Sequence, residues 1–505
     1  MQSSLNLLYN LRLVDGILIF LSLYLFKRWR DARQPAPPPP GPRPWPIIGN
    51  LFDMPASQEW LTFAKWGQTW GDIVSASVFN QRIVILNSAQ AAIEILDKKS
   101  NTYSNRPIMH MCDLGGWSNW FVTLQPHTDR FRNFRRLFYQ TIGSGAAMTG
   151  FHPMEEDEAR KFVRRILAEP ETLFDHVRRT AGAVILRITY GYSILEKDDP
   201  LVKLADAAMN QFSIGTAPGG YWVNTIPALK YIPEWFPGAG FKRIAKAWKK
   251  TTYDMAEMPH QFVKKQMATG EAEPSYMSRL LSEARDLELT AEQSYNIKWS
   301  AASMYGGGAD TIVATNTSFF LAMLLYPEVM HKAQAELDSV IGYDRLPALS
   351  DRDKLPYTNA LVLEALRWHA VTPTGVAHTS SKDDVHAGYF IPRGSIIIPN
   401  VWRMLHDERV YSDPFKFNPN RFLGLNPEPS PTNVCFGFGR RICPGRVLAE
   451  ASVFITCATT LATCNIEKWH LQDGDGKTIM DPDRVHEQTT GIVRQVAITS
   501  SMCME

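Results

Sequence analysis

Residues 436 to 445 read Phe-Gly-Phe-Gly-Arg-Arg-Ile-Cys-Pro-Gly, and this short stretch constrains the fold more than any other. Glycine reaches positive φ and permits close backbone approach. Gly437, Gly439 and Gly445 therefore predict a tight turn around the sulfur of Cys443. Backbone N–H groups in such a turn can point at a thiolate and tune its charge. Pro444 suits the first turn of a following helix, where its missing N–H costs nothing. Arg441 can reach an anionic group on a cofactor. The plainer alternative is a glycine-rich loop with a buried, inert cysteine, the usual state of a lone free thiol.

The rest of the chain narrows the choice. With 53 basic and 51 acidic residues, the net charge of +2 gives no support for a nucleic-acid binder. Cys112, Cys435, Cys443, Cys457, Cys464 and Cys503 form no CxxC pair and no dense framework, so neither a zinc site nor a disulfide scaffold is indicated. A large, cysteine-poor chain fits a reducing compartment. From Leu5 to Phe26 the chain is mostly apolar and long enough to cross a bilayer core, although Asn6, Asn10, Arg12 and Asp15 make its outer end polar. Lys27, Arg28, Arg30 and Arg33 follow, which predicts a single-pass anchor with the remainder of the chain cytoplasmic. Residues 35 to 46 read PAPPPPGPRPWP, a semi-rigid spacer that cannot be helix or central strand.

Three regions follow: an anchor over residues 1–26, a basic and proline-rich linker over 27–50, and one large domain over 51–505. Its signals are mainly α with small β-sheets. Ser88 caps one helix; Pro327 opens and Gly342 closes another. Thr290 and Gln293 form a capping box at the head of a long helical run reaching Tyr326. RIVIL at 82–86 and SIIIP at 395–399 are β-prone, the latter after the turn Pro392-Arg393-Gly394. Within the long run, Gly306, Gly307 and Gly308 each cost about 1 kcal/mol relative to alanine. Tight helix packing would justify them, and so would a widened groove where a ligand sits beside Asp310 and Thr311.

Phe436, Gly439, Arg441, Cys443 and Gly445 match every fixed position of F-x-x-G-x-R-x-C-x-G, so the chain resembles the cytochrome P450 family. Glu364 and Arg367 resemble its E-x-x-R pair, which locks the region beneath the haem with a later arginine. Pro414, Phe417, Pro419, Arg421 and Phe422 resemble the segment that carries that arginine, with Asn420 where many members have glutamate. Gly307, Gly308, Asp310 and Thr311 resemble the oxygen-activation motif, except that Ile312 replaces a hydroxyl residue. Arg135 and His378 stand where members hold haem propionates, and Phe131 replaces the usual tryptophan. Tyr103-Ser104-Asn105-Arg106-Pro107 and Tyr190-Gly191-Tyr192 are similar to the fungal O-methylsterigmatocystin oxidoreductase-like branch, many of whose members act in secondary metabolism.

The resemblance implies a cytochrome P450 fold and a haem b (iron protoporphyrin IX) cofactor with Cys443 as axial ligand to the iron. It implies an apolar small-molecule substrate, O2, and proton delivery through Asp310 and Thr311. The stretch after Cys443 is too short for a flavin domain. Electrons are then expected from NADPH through a separate membrane-bound NADPH–cytochrome P450 reductase, with Arg130, Arg132, Arg136, Arg440 and Arg446 as candidates for its docking face. The endoplasmic reticulum is the implied membrane. Met109, Met111, Leu114, Trp117, Trp120 and Phe121 lie in the segment that lines substrate pockets in the family, although core packing explains such residues equally well. Residues 221–241 mix exposed-type aromatics with following lysines, which suits a second lipid contact or a channel wall. A haem-thiolate isomerase or dehydratase, or a non-catalytic haem-binding protein, is the rival reading. The Asp310-Thr311 pair speaks against both.

Overall fold

The computed structural model describes residues 33–217, 219–283 and 289–468, the single positions 18 and 22, and the short strand Met502–Met504. The expected anchor over residues 1–26 lies outside the described residues, apart from those two positions. The rest is mainly helical with small sheets. The helices that carry the site are α1 (Asp129–Ile142), α2 (His152–Ala168), α3 (Leu173–Tyr190), α4 (Pro200–Thr216), α5 (Gly240–Thr269), α6 (Ala291–Gly308), α7 (Thr311–Leu325), α8 (Pro327–Val340), α9 (Pro356–Trp368) and α10 (Arg446–Leu461).

Local sequence sets several of these boundaries. The hydroxyl of Ser88 accepts from Ala91 N at 3.3 Å. The Thr290–Gln293 capping box forms in both directions at the head of α6. Pro327 opens α8, and Gly342 follows its end at φ +77°. The expected single run to Tyr326 is instead two helices. The backbone at Asp310 sits at φ −120° and ψ −30°, which breaks the regular path between α6 and α7. Together the two helices form an apolar run over 291–325, long enough to cross a membrane. Its most apolar stretch is 78% buried, because α6 and α7 run through the protein interior.

Two large apolar cores flank this central run. One gathers α2, α7, α8, α9 and α10 around Phe162, Phe319, Phe320, Leu361 and Phe454. The other gathers α1, α4, α5 and α6 around Trp117, Phe134, Phe212, Met255 and Tyr305. A four-stranded sheet stands beside them. Strands β1 (Ile73–Val78) and β2 (Gln81–Leu86) pair antiparallel, with Ile73 opposite Leu86. β2 pairs in parallel with the strand Ile396–Pro399, and His378–Thr379 completes the far edge. The proline-rich segment is docked on this sheet. Ser75 N donates to Pro40 O at 2.7 Å and Ser75 Oγ donates to Pro39 O at 2.6 Å, while Phe390 N, in the separate two-stranded pair of Asp384–His386 with Tyr389–Ile391, donates to Pro37 O at 2.8 Å. Prolines lack N–H groups, so they serve here as acceptors along a sheet margin.

α2 and α10 are joined by a buried polar contact. Ser452 Oγ donates to Glu155 Oε1 at 2.5 Å, while Glu155 Oε2 has no partner among the described residues. Burial pushes the Glu155 carboxyl up to about 8, against the lowering effect of the serine hydroxyl. A carboxyl whose folded pKa is raised stabilises fully below its unfolded value. That stability is lost as pH rises from about 4.5 to about 8. Glu155→Gln keeps the hydrogen bond without the charge. It should flatten the stability profile over that window and exceed the wild type in stability at its upper end. Denaturant midpoints at both ends of the window test this; parallel profiles would contradict it.

Candidate active site

The cysteine turn is built as its glycines require, with one difference. Gly437 and Gly439 take φ of +80° and +52°. A Cβ on Gly439 would meet Leu96 O at 2.5 Å, so this turn packs directly against another backbone segment. Gly445 instead has φ −93° and caps α10, leaving Pro444 in the turn before the helix rather than inside it. Cys443 N donates to Phe436 O at 2.8 Å, which closes the loop. The Cys443 side chain opens on an internal cavity of about 290 Å³. Burial pushes its thiol pKa up, while the Gly445 N–H, Arg135 and Arg446 oppose that shift.

The same cavity is lined by Gly306, Gly307, Gly308 and Thr311 from the junction of α6 and α7. Both sequence-based reasons for the glycines hold, at different positions. A Cβ on Gly308 would lie 2.8 Å from Ile185 on α3, and one on Gly306 would crowd Phe121 and Met255. At Gly307 a Cβ would meet nothing within 4 Å, so that backbone faces open cavity. Thr311 Oγ1 donates to Gly307 O at 3.1 Å. Asp310 is not among the cavity-lining residues. Its carboxylate lies 3.6 Å from Arg178 Nη1, which is 2.7 Å from Asp206.

One part of the cavity wall is strongly basic: Arg106, Arg135 and Arg441, with His378 beside them. Arg441 donates to Ser104 O (2.7 Å), Gln125 O (2.7 Å) and Val122 O (3.2 Å). Its guanidinium lies 3.8 Å from the centre of the Phe131 ring, so the residue that replaces tryptophan stacks under this arginine. Arg135 donates to Ile442 O, beside the cysteine. His378 Nδ1 is 2.6 Å from Tyr103 O, and burial holds its pKa well below the usual histidine range. Burial, then Arg135, lowers Arg441 to about 9, and burial, then Arg441, depresses Arg106. Among the described residues, none of the three arginines pairs with a carboxylate. Arg106 was quoted in the sequence only within a branch-specific motif. Its Nη1 donates to Val376 O (2.6 Å) and Ala377 O (2.9 Å), and its buried Nε has no partner among the described residues. No spacing rule ties it to Cys443; burial alone reveals it.

The remaining expectations divide. Glu364, Arg367 and Arg421 meet in the interior. Arg367 Nε and Nη2 donate to Glu364 at 2.7 and 2.8 Å, and Arg421 Nε donates to the same carboxylate at 3.1 Å. Asn420 takes no part there, and its Oδ1 accepts from Lys332 at 2.7 Å. Arg421 finds its second carboxylate in Glu428, at 2.6 Å. Phe436 lines the cavity; Gly439 does not. Of the segment expected to contact substrate, only Phe121 reaches the cavity. Met111, Trp117 and Trp120 are core residues, because the helix and turn that carry them face α4 and α5. The apolar wall is supplied instead by Ile185, Met209, Phe212 and Met304, residues of long helices whose inward face no local pattern distinguishes.

The sequence profile described as Cytochrome P450 matches residues 39–487. The chain is 48% identical over 482 residues to cytochrome P450 monooxygenase 208 of Postia placenta, covering 95% of this chain and 92% of that protein. It is 43% identical to cytochrome P450 monooxygenase claR of Ampulloclitocybe clavipes, covering 94% and 87%. It is 38% identical to the multifunctional cytochrome P450 monooxygenase af510 of Aspergillus fumigatus, covering 91% and 87%. The chain belongs to the cytochrome P450 family and is a monooxygenase of it.

That membership implies a haem-thiolate centre, and the residues present fit one. A cysteine side chain opens on the cavity, the Gly307 backbone leaves space in it, and a carboxylate-poor wall of buried cations suits two propionates. The unpartnered Arg106 Nε is a donor such a group would satisfy. The tight Gly308–Ile185 contact can be tested by itself. Overpacking of this kind costs about 1–3 kcal/mol. Gly308→Ala should destabilise by that order and should be tolerated in an Ile185→Ala background. A double-mutant cycle by chemical denaturation reads the coupling, and strict additivity would contradict the contact.

Proposed function

We propose that this chain is a membrane-anchored haem-thiolate monooxygenase that hydroxylates an apolar small molecule, using O2 and electrons passed from NADPH by a reductase. The observation that supports it most is that Cys443 and Thr311 face one apolar cavity bordered by three arginines and His378. Bound haem would supply the activation of O2 and the insertion of one oxygen atom into a C–H bond.

The chain's own groups do the rest. Cys443 would hold the haem iron through its sulfur, and the Gly445 N–H, Arg135 and Arg446 oppose the burial that would protonate it. Arg106, Arg135, His378 and Arg441 hold the propionate edge. Thr311 presents a hydroxyl that both donates and accepts. Asp310, one residue earlier at the helix break, faces the Arg178–Asp206 side, so the two residues connect the cavity with polar groups outside it. Phe121, Ile185, Met209 and Phe212 exclude water and favour an uncharged substrate.

A fungal secondary metabolite fits these properties, a terpenoid first and a polyketide or aromatic alkaloid next. The fungal origin of the relatives supports that choice. All five arginines remain candidates for reductase docking; Arg130 pairs with Glu292, Arg132 with Asp129 and Arg446 with Glu450, which leaves Arg136 and Arg440 as the two without a carboxylate partner among the described residues. Residues 1–26 anchor the chain in the endoplasmic reticulum membrane. Trp222, Tyr231 and Trp235, at 61%, 78% and 80% exposure, add a second contact with lipid.

Two substitutions test the assignments. Cys443→Ser should abolish the red-shifted carbon monoxide band of the reduced protein, and an unchanged band would overturn the ligand. Thr311→Ala should retain that band and still consume NADPH, but divert electrons to hydrogen peroxide. The product-to-NADPH ratio then falls. A ratio equal to wild type would remove Thr311 from proton delivery.

A further inference from the structure

A continuous line of aromatic rings leads from the cavity to the surface, and from Trp117 outward its members are tryptophan and tyrosine. Phe121 and Phe212 line the cavity, and the ring of Trp117 is centred 5.2 and 5.0 Å from them. Trp117 stacks on Trp120 at 5.2 Å with an interplanar angle of 24°. Trp120 contacts Trp299 at 5.1 Å. Trp299 contacts Tyr253 at 6.4 Å and Tyr295 at 5.8 Å. Trp117 and Trp120 are fully buried, while Tyr253 is 49% exposed. Core packing requires large rings here, but it does not require every interior member of the line to be tryptophan, the most easily oxidised of the apolar side chains.

The protonation chemistry differs along the line. Among the described residues, the indole N–H of Trp117 has no acceptor, and that of Trp120 donates to the weakly basic Gly116 O at 2.8 Å. An electron removed from either ring leaves a radical cation that cannot lose its proton locally, so the charge moves on rather than becoming trapped. Tyr253 is different, because its exposed phenol can release a proton to water. Lys298 lies over both the Tyr253 and Trp299 rings, and its ion pair with Glu257 keeps net charge there close to zero.

We infer that Trp117, Trp120, Trp299 and Tyr253 form an electron-transfer path that discharges the oxidant at the cavity when no substrate consumes it. This rests on the haem-thiolate monooxygenase reading above. In one passage Trp117 would give one electron to the oxidant that a bound haem supplies, and would be refilled from Trp120, then Trp299, then Tyr253. Tyr253 loses its phenolic proton to water, and a small thiol restores it by giving one hydrogen atom. Two passages oxidise two thiols to one disulfide and reduce one activated oxygen atom to water, with the two protons taken from solvent at the cavity. The oxidant comes from the monooxygenase's own O2 activation, and the reductant is the thiol.

The test uses the full-length, haem-loaded protein in lipid vesicles, mixed with hydrogen peroxide without substrate and frozen rapidly for electron paramagnetic resonance. Oxidised residues are mapped by mass spectrometry. Wild type should show a tyrosyl signal and oxidation concentrated at Tyr253 and Trp299. Tyr253→Phe, an exposed change that leaves packing intact, should lose that tyrosyl signal and bleach the haem in fewer peroxide additions. Trp120→Phe should confine oxidation to the cavity side of position 120. A tyrosyl signal and oxidation map unchanged in both variants would overturn the path. The carbon monoxide spectrum of each sample separates this outcome from failure of the parent reading: loss of the red-shifted band in wild type would mean that the haem-thiolate assignment, not the path, is wrong.

Discussion

The buried carboxylate of Glu364 organises the region beneath the cavity. It accepts from Arg367, Arg421 and the Asn418 N–H, and all three charged side chains are withdrawn from water. Removing one member of such a cluster leaves an uncompensated buried charge, which costs about 3–5 kcal/mol. The two arginines extend the tie into irregular backbone. Arg367 donates to Leu405 O at 2.8 Å, and Arg421 donates to Ser412 O at 2.8 Å. Glu428 N returns to Arg421 O at 2.7 Å. One helix thus fixes a long stretch with little regular structure, and that stretch leads directly into the cysteine turn.

A second electrostatic feature has the opposite character. Where Glu364 gathers cations around a carboxylate, the cavity wall gathers cations without one. Arg106, Arg135 and Arg441 are held largely by backbone carbonyls, which orient them but do not neutralise them. Burial lowers the pKa of each. A protein tolerates such a wall when an anionic group completes it. Of these, Arg135 lies near Cys443, where its positive charge, with that of Arg446, favours the thiolate.

The helical interior carries strain of another kind. Gly306 and Gly308 let neighbouring helices approach, while Gly307 leaves open space, and the backbone turns irregular two residues later at Asp310. These are separate physical demands on three adjacent residues. They place Thr311 at the cavity and direct Asp310 toward Arg178. A sequence motif names both residues together, yet the break sends their side chains to different surroundings.

The helix caps, the strands at 81–86 and 396–399, the cysteine turn and the Glu364–Arg367 pair were legible from the chain alone, because each depends on residues a few positions apart. Cap chemistry, β-branched runs and glycine φ are local properties. Arg106, the partnership of Arg421 with Glu428, the burial of Trp117 and Trp120, and the apolar wall from Ile185, Met209 and Phe212 were not legible. Each depends on segments brought together from far along the chain, and a buried helix is apolar on every face, so its pattern does not say which side meets a ligand. The sequence by itself determined the chemistry: a cysteine in a glycine turn, with an acid and an alcohol after a glycine run. Tertiary packing decided which groups surround that chemistry, because only folding removes those cations from water and sets the rings in line.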